Sequence, residues 1–313
     1  MSHPPRICVV GSANVDLTFR TPRLPKPGET LAGHAFHLGM GGKGANQAVA
    51  AARLGAKVAL IARVGNDTFG LEAIRRYRAE GLDTTFVRRD GNSPTGTAAI
   101  VVDDAAENCI LVVAGANASL SPEDVRDASA VIQNADVLLC QLETPLEATL
   151  EAFRLARAAG VRTVLTPAPV MALPDSLLDL CDVCVPNKTE MELLVGRKVD
   201  SPDDAQSAAR MLRERGVKTV VVTLGSRGAL LLDAEGATHV SAVEVAAVDP
   251  TGAGDAFTAA LAVWVAEGFS LHEAAKQACI VGALTATRLG TQTAFPTLAE
   301  VKKWMISAVG QHG

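Results

Sequence analysis

The chain has 313 residues, of which 48% are hydrophobic and 20% charged, a balance that supports a sizeable buried core and excludes a disordered chain. Its formal net charge of −5 argues against nucleic-acid and anionic-membrane partners, both of which favour a basic face. The length suits one large α/β domain with an insertion, or two ordinary domains.

In chain order, Met1–Arg6 lacks the basic-then-apolar layout of a signal peptide and leads straight into a strand at Ile7–Val10. An Ala-rich helix follows over Ala45–Leu54 and stops at Gly55. Val58–Ala62 reads as the next strand, and Phe69–Glu80 as a helix stopped by Gly81. Val137–Cys140, Thr163–Leu165, Val183–Val185 and Val220–Thr223 read as buried parallel strands, with helices near Leu146–Ala159, Thr189–Leu194 and Pro202–Arg215 between them. From Ala253 to Val309 the chain is mostly helical, in three segments. This alternation predicts a three-layer α-β-α fold around a mostly parallel sheet. No apolar run reaches the roughly 18 residues of a membrane span.

Two stretches, Val15–Gly39 and Thr95–Ala114, break the alternation and carry turn residues such as Pro22, Pro25 and Pro27-Gly28. Thr97–Val102 and Cys109–Val113 read as a hairpin pair. We therefore expect a core of residues 1–13, 41–93 and 115–313, with 14–40 and 94–114 forming a small antiparallel β lid that excludes water from a ligand site. An exposed sheet of that kind also invites dimerisation.

Cysteines stand at 8, 109, 140, 181, 184 and 279, mostly inside apolar runs. A cytoplasmic protein with reduced, buried thiols is the expectation. Cys181 and Cys184 have a metal-ligand or redox spacing. They have no second pair and no turn glycines, so they read as structural.

The densest chemistry lies at Asp249-Pro250-Thr251-Gly252-Ala253-Gly254-Asp255, directly before an apolar run of helical length. Glycines at a helix start let backbone N–H groups converge on an anion, and the helix N-terminus adds partial positive charge. Asp255 alone would pass as an ordinary cap. The two glycines and the second carboxylate at 249 are left over by that reading. The loop is not a Walker A sequence, because no Gly-Lys-Ser/Thr follows it, and it stands too late in the chain for a dinucleotide-binding fingerprint. Phosphoryl transfer to an alcohol needs a base near the attacking hydroxyl and fixed dipoles around the moving phosphoryl group; this segment offers both.

A second glycine-rich turn, Gly39–Ala48, enters a helix and carries Lys43 and Asn46 where backbone can approach a ligand closely. Asn14 and Asp16 follow the first strand with side chains on one side, suited to vicinal hydroxyls, although such a pair on its own reads more often as a turn. Asn187 and Glu190 suit a helix capping box, or a place near a metal-bound triphosphate with Glu190 acting on Mg²⁺ through water. Thr223-Leu224-Gly225-Ser226-Arg227-Gly228 offers backbone groups and a hydroxyl to a nucleotide, or forms a hairpin turn.

On these residues the chain resembles the ribokinase-like (phosphofructokinase B) carbohydrate kinases from about Arg6 to Pro296, with signature regions at Gly39–Gly55 and Asp249–Ala262. Pro27-Gly28-Glu29-Thr30, Gly41–Ala51 and Gly115-Ala116-Asn117 point to the ribose-specific branch. The resemblance implies ATP-dependent phosphorylation of D-ribose at O5. It places Asn14, Asp16, Gly42, Lys43, Asn46 and Glu143 around the sugar and makes Asp255 the base, with Gly252, Ala253 and Gly254 in the anion hole. It puts Asn187, Thr223, Gly225, Ser226, Gly228, Gly254 and Cys279 near ATP, Glu190 on Mg²⁺, and a K⁺ ion beside Asp249, Thr251, Thr285, Arg288, Gly290 and Ala294. A homodimer through the lid sheets is likewise implied. Pro250, Ala294 and Cys279 depart from the family's usual Thr, Ser, and His or Asn. A related sugar kinase, for deoxyribose, fructose, a keto-deoxy sugar acid or a nucleoside, is the second reading; the chain's one Tyr and two Trp leave few residues for a nucleobase slot. A non-catalytic sugar or nucleotide sensor is the third, and it has no need of Asp255.

Overall fold

The computed structural model describes residues 3–105 and 107–309. The outermost ends of the expected core (1–2 and 310–313) and one position of the expected lid (106) lie outside the described residues. In chain order the strands are β1 (Arg6–Val10), β2 (Asn14–Thr21), β3 (Ala35–Gly41), β4 (Lys57–Gly65), β5 (Val87–Asp90), β6 (Gly96–Asp103), β7 (Asn108–Val113), β8 (Val137–Cys140), β9 (Arg162–Leu165), β10 (Val183–Cys184), β11 (Thr219–Thr223), β12 (Ala229–Leu232) and β13 (Ala237–Val240). The helices are α1 (Lys43–Arg53), α2 (Thr68–Ala79), α3 (Pro122–Asp127), α4 (Ser129–Gln133), α5 (Leu146–Ala158), α6 (Asp175–Leu178), α7 (Lys188–Val195), α8 (Pro202–Glu214), α9 (Ala253–Ala266), α10 (Leu271–Ala286) and α11 (Leu298–Val309).

Nine strands form one sheet in the order β13-β12-β11-β10-β9-β8-β1-β4-β5. Pairing is parallel from β5 to β11 and antiparallel at β12 and β13. The pleat sends alternate residues to opposite faces. Ile7 and Val9 of β1 join a core with α1, α2, α9 and α10, while Cys8 and Val10 join a second core with helices α3 to α8. These are the three layers the alternation predicts.

Local signals fix the helix ends. Capping boxes start α3 (Ser121/Asp124), α7 (Asn187/Glu190), α8 (Ser201/Asp204) and α10 (Ser270/Glu273), with Pro122 and Pro202 at the first turn of α3 and α8. In α9 every residue from Asp255 to Val265 is buried, as its all-round apolar sequence requires.

The small sheet has the order β3-β2-β6-β7. Its two hairpin pairs, β2–β3 and β6–β7, are antiparallel, but the central β2–β6 pair is parallel. The cause is topological: β1 and β5 run the same way in the main sheet, so the chain leaves its carboxyl edge for β2 and for β6 in the same direction. Three strands were not legible in the sequence. β5 (Val-Arg-Arg-Asp) has no apolar pattern, and β12 and β13 form a hairpin behind the 224–228 turn. The expectation of buried thiols needs one correction: Cys109 is exposed, because all of β7 is exposed at the edge of the small sheet. Cys181 and Cys184 are buried in the second core.

Candidate active site

Parallel α/β sheets gather their ligand-binding loops at the carboxyl ends of the strands. Here Ser12 to Asn14 leave β1, Gln141 and Glu143 leave β8, Thr166 leaves β9, Val185 and Asn187 leave β10, and Thr223 ends β11. The N-termini of α1 and α9 point to the same edge. A cavity opens among them, lined by Lys43, Thr166, Val185, Asn187, Glu190, Thr223, Gly252, Gly254, Asp255 and Thr258.

Two glycines set the loop geometry. Gly42, before α1, has φ +85°, and Gly252, before α9, has φ +78°; both lie in the left-handed region that side chains disfavour. A Cβ on Gly44 would also fall 2.6 Å from the backbone N of Ser12, so α1 can begin against the end of β1 only with glycine there. At Gly254 a Cβ would meet nothing within 4 Å. That position is open toward the cavity.

Asp255 is buried at 7% exposure. Asn46 Nδ2 donates to its Oδ2 at 2.9 Å, and Gln47 Nε2 to its Oδ1 at 3.1 Å. Burial raises its pKa; Lys43 and the two amides oppose this, Glu143 adds to it, and the net direction is up. Burial lowers the pKa of the Lys43 ammonium, but Asp255, Glu143 and Glu190 outweigh it and leave that pKa raised. Lys43 is therefore a fixed cation among carboxylates.

Asn14 and Asp16 stand where the small sheet joins the core. Asn117 Nδ2 donates to Asn14 Oδ1 at 2.6 Å, so the Asn14 amide turns its N–H₂ away from Asn117. Asp16 lies opposite Gly39 and beside Gly41, where a Cβ would fall 2.3 Å from the carboxylate. Burial, then the charges of Glu143 and Asp255, raise the Asp16 pKa to about 6. Glu143 accepts from the Ser12 hydroxyl and, at 2.8 Å, from the Lys43 backbone N–H.

The capping box and the cavity wall turn out to be the same residues at 187–190. Asn187 N–H and Nδ2 each donate to Glu190 at 2.8 Å. Glu190 has its pKa raised, chiefly by burial. Thr223 lines the cavity, whereas Gly225, Ser226 and Gly228 form the turn between β11 and β12, outside the cavity wall. Cys279 is buried on α10, also off the wall.

Behind the α9 loop, Asp249 accepts from the N–H groups of Thr251 and Gly290, both at 3.0 Å. Burial opposes ionisation of Asp249, yet these hydrogen bonds leave its pKa lowered. The 290s segment packs on the loop: a Cβ on Gly252 would lie 2.8 Å from Thr291 Cγ2. Thr285 donates its hydroxyl to the Val281 carbonyl, Arg288 pairs with Glu300 at 2.6 Å, and Ala294 is buried in a short 3₁₀ turn. Asp249, Thr251 and Gly290 are thus brought together, while the Arg288 side chain is turned to another partner. Pro250 lends its carbonyl to the Ala253 N–H.

Sequence reasoning passed over Ser12, Gln47, Asn117, Gln141, Thr166 and Gln292, all of which touch the residues above. The available signal was Asn46-Gln47, a polar pair inside an Ala/Val helix.

A helix start open to an anion, beside a buried carboxylate at the carboxyl edge of a parallel sheet, defines the α/β phosphotransferase class. The chain belongs to the pfkB carbohydrate kinase family, whose sequence profile it matches over residues 4–298. It is 44% identical to a ribokinase of Mus musculus, with 93% of this chain and 91% of the relative aligned. It is 39% identical to a deoxyribokinase of Salmonella typhi, over 96% and 98%. The solved structure of Arabidopsis thaliana ribokinase complexed with ribose and ATP superposes with a TM-score of 0.92 at 34% identity, covering 96% of this chain and 98% of that one.

Proposed function

We propose that this chain transfers the γ-phosphoryl group of ATP to O5 of D-ribose, giving ribose 5-phosphate and ADP. The observation that carries the reading is Asp255: a buried carboxylate held by two donors, one residue past a glycine open to the cavity. Asp255 takes the proton as the sugar hydroxyl attacks the γ-phosphorus, and the bond to the ADP oxygen breaks. The N–H groups of Gly252, Gly254 and Asp255 at the α9 N-terminus meet the charge on the transferring group, while Ala253 N–H is held by the Pro250 carbonyl. Asn14, Asp16, Gly42, Lys43, Asn46 and Glu143 hold the sugar; Asn187, Thr223, Gly225, Ser226, Gly228 and Cys279 neighbour the nucleotide. The segments 14–40 and 94–114 act as the lid.

Among the described residues no cluster of three His, Cys, Asp or Glu side chains could hold a metal by itself. Glu190 lines the cavity and would reach, through water, a Mg²⁺ carried mainly by the nucleotide phosphates; bound there, the ion would neutralise phosphate charge. The ionised Asp249, tied to Thr251 and Gly290, fits a monovalent cation site completed by Thr285, Arg288, Gly290 and Ala294 carbonyls. K⁺ there would keep the anion hole in shape. Exchanging K⁺ for Na⁺ is expected to slow turnover, and an indifferent enzyme would remove the cation from the scheme. All six cysteines are free thiols, which supports a cytoplasmic setting. No helix among the described residues is long and apolar enough to cross a membrane.

Release of ADP, coupled to a dehydrogenase assay, tests the substrate across ribose, deoxyribose, fructose and common nucleosides. Ribose is expected to give the highest kcat/KM, and a clear preference for another sugar would overturn the assignment. Asp255→Asn is expected to lower kcat by about 10²–10⁴-fold, the usual worth of a general base, with ribose binding by calorimetry little changed.

A further inference from the structure

Two chains of buried amides end on the Asp255 carboxylate. Gln141 Nε2 donates to Gln47 Oε1 at 2.6 Å, and Gln47 Nε2 donates onward to Asp255 Oδ1 at 3.1 Å and to Thr166 Oγ1 at 3.0 Å. On the other oxygen, Gln292 Nε2 donates to Asn46 Oδ1 at 3.1 Å and Asn46 Nδ2 to Asp255 Oδ2 at 2.9 Å. An ionised carboxylate only accepts, so each chain has one consistent direction, with every N–H₂ aimed toward Asp255. Asn46 borders the proposed sugar site, but Gln47 and Gln141 lie outside the cavity wall, at 0% and 1% exposure. Among the described residues Gln141 Oε1 meets no protein donor, and the hydrogen bond this side chain makes to the protein is the one it gives to Gln47.

We propose that Gln47, with Gln141 fixing the direction of its amide, is a positioning residue that aims the Asp255 carboxylate and supplies a charge-assisted hydrogen bond in place of lost water. The inference rests on Asp255 being the base of the proposed reaction. The Asp255 carboxylate is surrounded by Lys43 of α1, Glu143 beyond β8, Asp16 of β2 and Glu190 of α7. Three of these four are acidic, and burial also favours the protonated acid, so the amide donors and Lys43 must keep the base ionised. If Gln141 let go, the Gln47 amide could turn its oxygen toward Asp255 and become repulsive.

The test is the pH dependence of kcat in the full-length enzyme with Gln47→Met, Gln141→Met and Gln47→Glu. Gln47→Met is expected to lower kcat at pH 7 by about 10–100-fold, as for loss of one positioned donor, with KM for the sugar changed less than about threefold. The acid limb of its kcat profile should move upward by about one pH unit, so activity partly recovers at high pH. Gln141→Met should shift the limb the same way by a smaller amount. Gln47→Glu can donate to Asp255 only while protonated and, once ionised, sets a like charge against it, so its acid limb should move upward further than that of Gln47→Met. A merely structural role predicts lower folded yield with the acid limb unmoved. If Gln47→Met fails to fold, as judged by circular dichroism, the profiles of the other two variants decide in the same way. Unmoved limbs in the folded variants, with Asp255→Asn inactive, overturn the positioning role alone. A fully active Asp255→Asn overturns the parent reading instead.

Discussion

At the scale of single residues, the site concentrates carboxylates around one ammonium. Asp16, Glu143, Glu190 and Asp255 all act on or beside Lys43, and burial makes each additional negative charge harder to hold. Asp16 carries the clearest consequence. Its pKa is raised to about 6 by burial and by Glu143 and Asp255, so it is charged above that pH and gains a proton as the pH falls through it. In the proposed sugar site an ionised Asp16 offers acceptors for two hydroxyls, whereas the acid offers a donor in one of those places. If only the ionised form binds, KM for ribose should rise about tenfold between pH 7 and pH 5, following a single titration. Steady-state kinetics at several pH values read this directly. In Asp16→Asn the pH dependence of KM should vanish, with KM high throughout; a wild-type KM flat down to pH 5 would remove Asp16 from sugar recognition. Asp255, the paired glycines and Lys43 were legible in the sequence because each brings charge or unusual backbone into a short segment, and Asn46 because it follows the glycine-rich turn into α1. The contacts of Gln47, Gln141, Gln292 and Asn117 were not. A neutral amide does not point to its partner, and these partners lie 94 to 246 positions away.

Among the elements, α9 shows how one glycine can serve folding and its neighbour serve chemistry. Gly252 has φ +78°, and its Cβ would press on Thr291 and Phe295, so Gly252→Ala should lower the melting temperature. Gly254 lies inside α9 with open space where a Cβ would go. Alanine there is favoured over glycine by up to about 1 kcal/mol in a helix, so Gly254→Ala should hold or raise the melting temperature. The same methyl group would stand in the anion hole, and kcat/KM for ATP should fall by about 10²–10³-fold, the loss typical of one blocked donor. Thermal melts run beside the ADP-release assay separate the two effects; an active Gly254→Ala enzyme would place the phosphates elsewhere. The order of elements was largely legible, because buried parallel strands and amphipathic helices have different periods. The pairing inside the small sheet was not. The parallel β2–β6 pair joins segments about 80 residues apart and depends on where the main sheet releases the chain.

For the molecule as a whole, the open question is what covers β7. Ile110, Leu111, Val112 and Val113 are 53%, 67%, 57% and 49% exposed, so this edge strand is apolar on both faces. Across the same sheet, Phe19 and Phe36 pack with tilted rings at 5.1 Å between centroids and are also exposed. An unprotected edge of this kind pairs with another chain unless charge or proline blocks it, and from Cys109 to Val113 the strand carries neither. A second copy of the chain, joined through the small sheets, is the dimer proposed from the sequence. Each large aliphatic side chain fully removed from water contributes about 1.5–3 kcal/mol, so a handful of such residues per subunit can hold a dimer at micromolar concentration. The wild-type chain should therefore sediment as a dimer, and Leu111→Asp, which puts a charge into the seam, should sediment as a monomer with an unchanged circular dichroism spectrum. Because Asn14 and Asp16 begin β2 in the same sheet, losing the partner should loosen their placement and raise KM for ribose more than it lowers kcat. A wild-type monomer would remove the partner from this scheme, and a Leu111→Asp dimer would place the seam elsewhere on the chain.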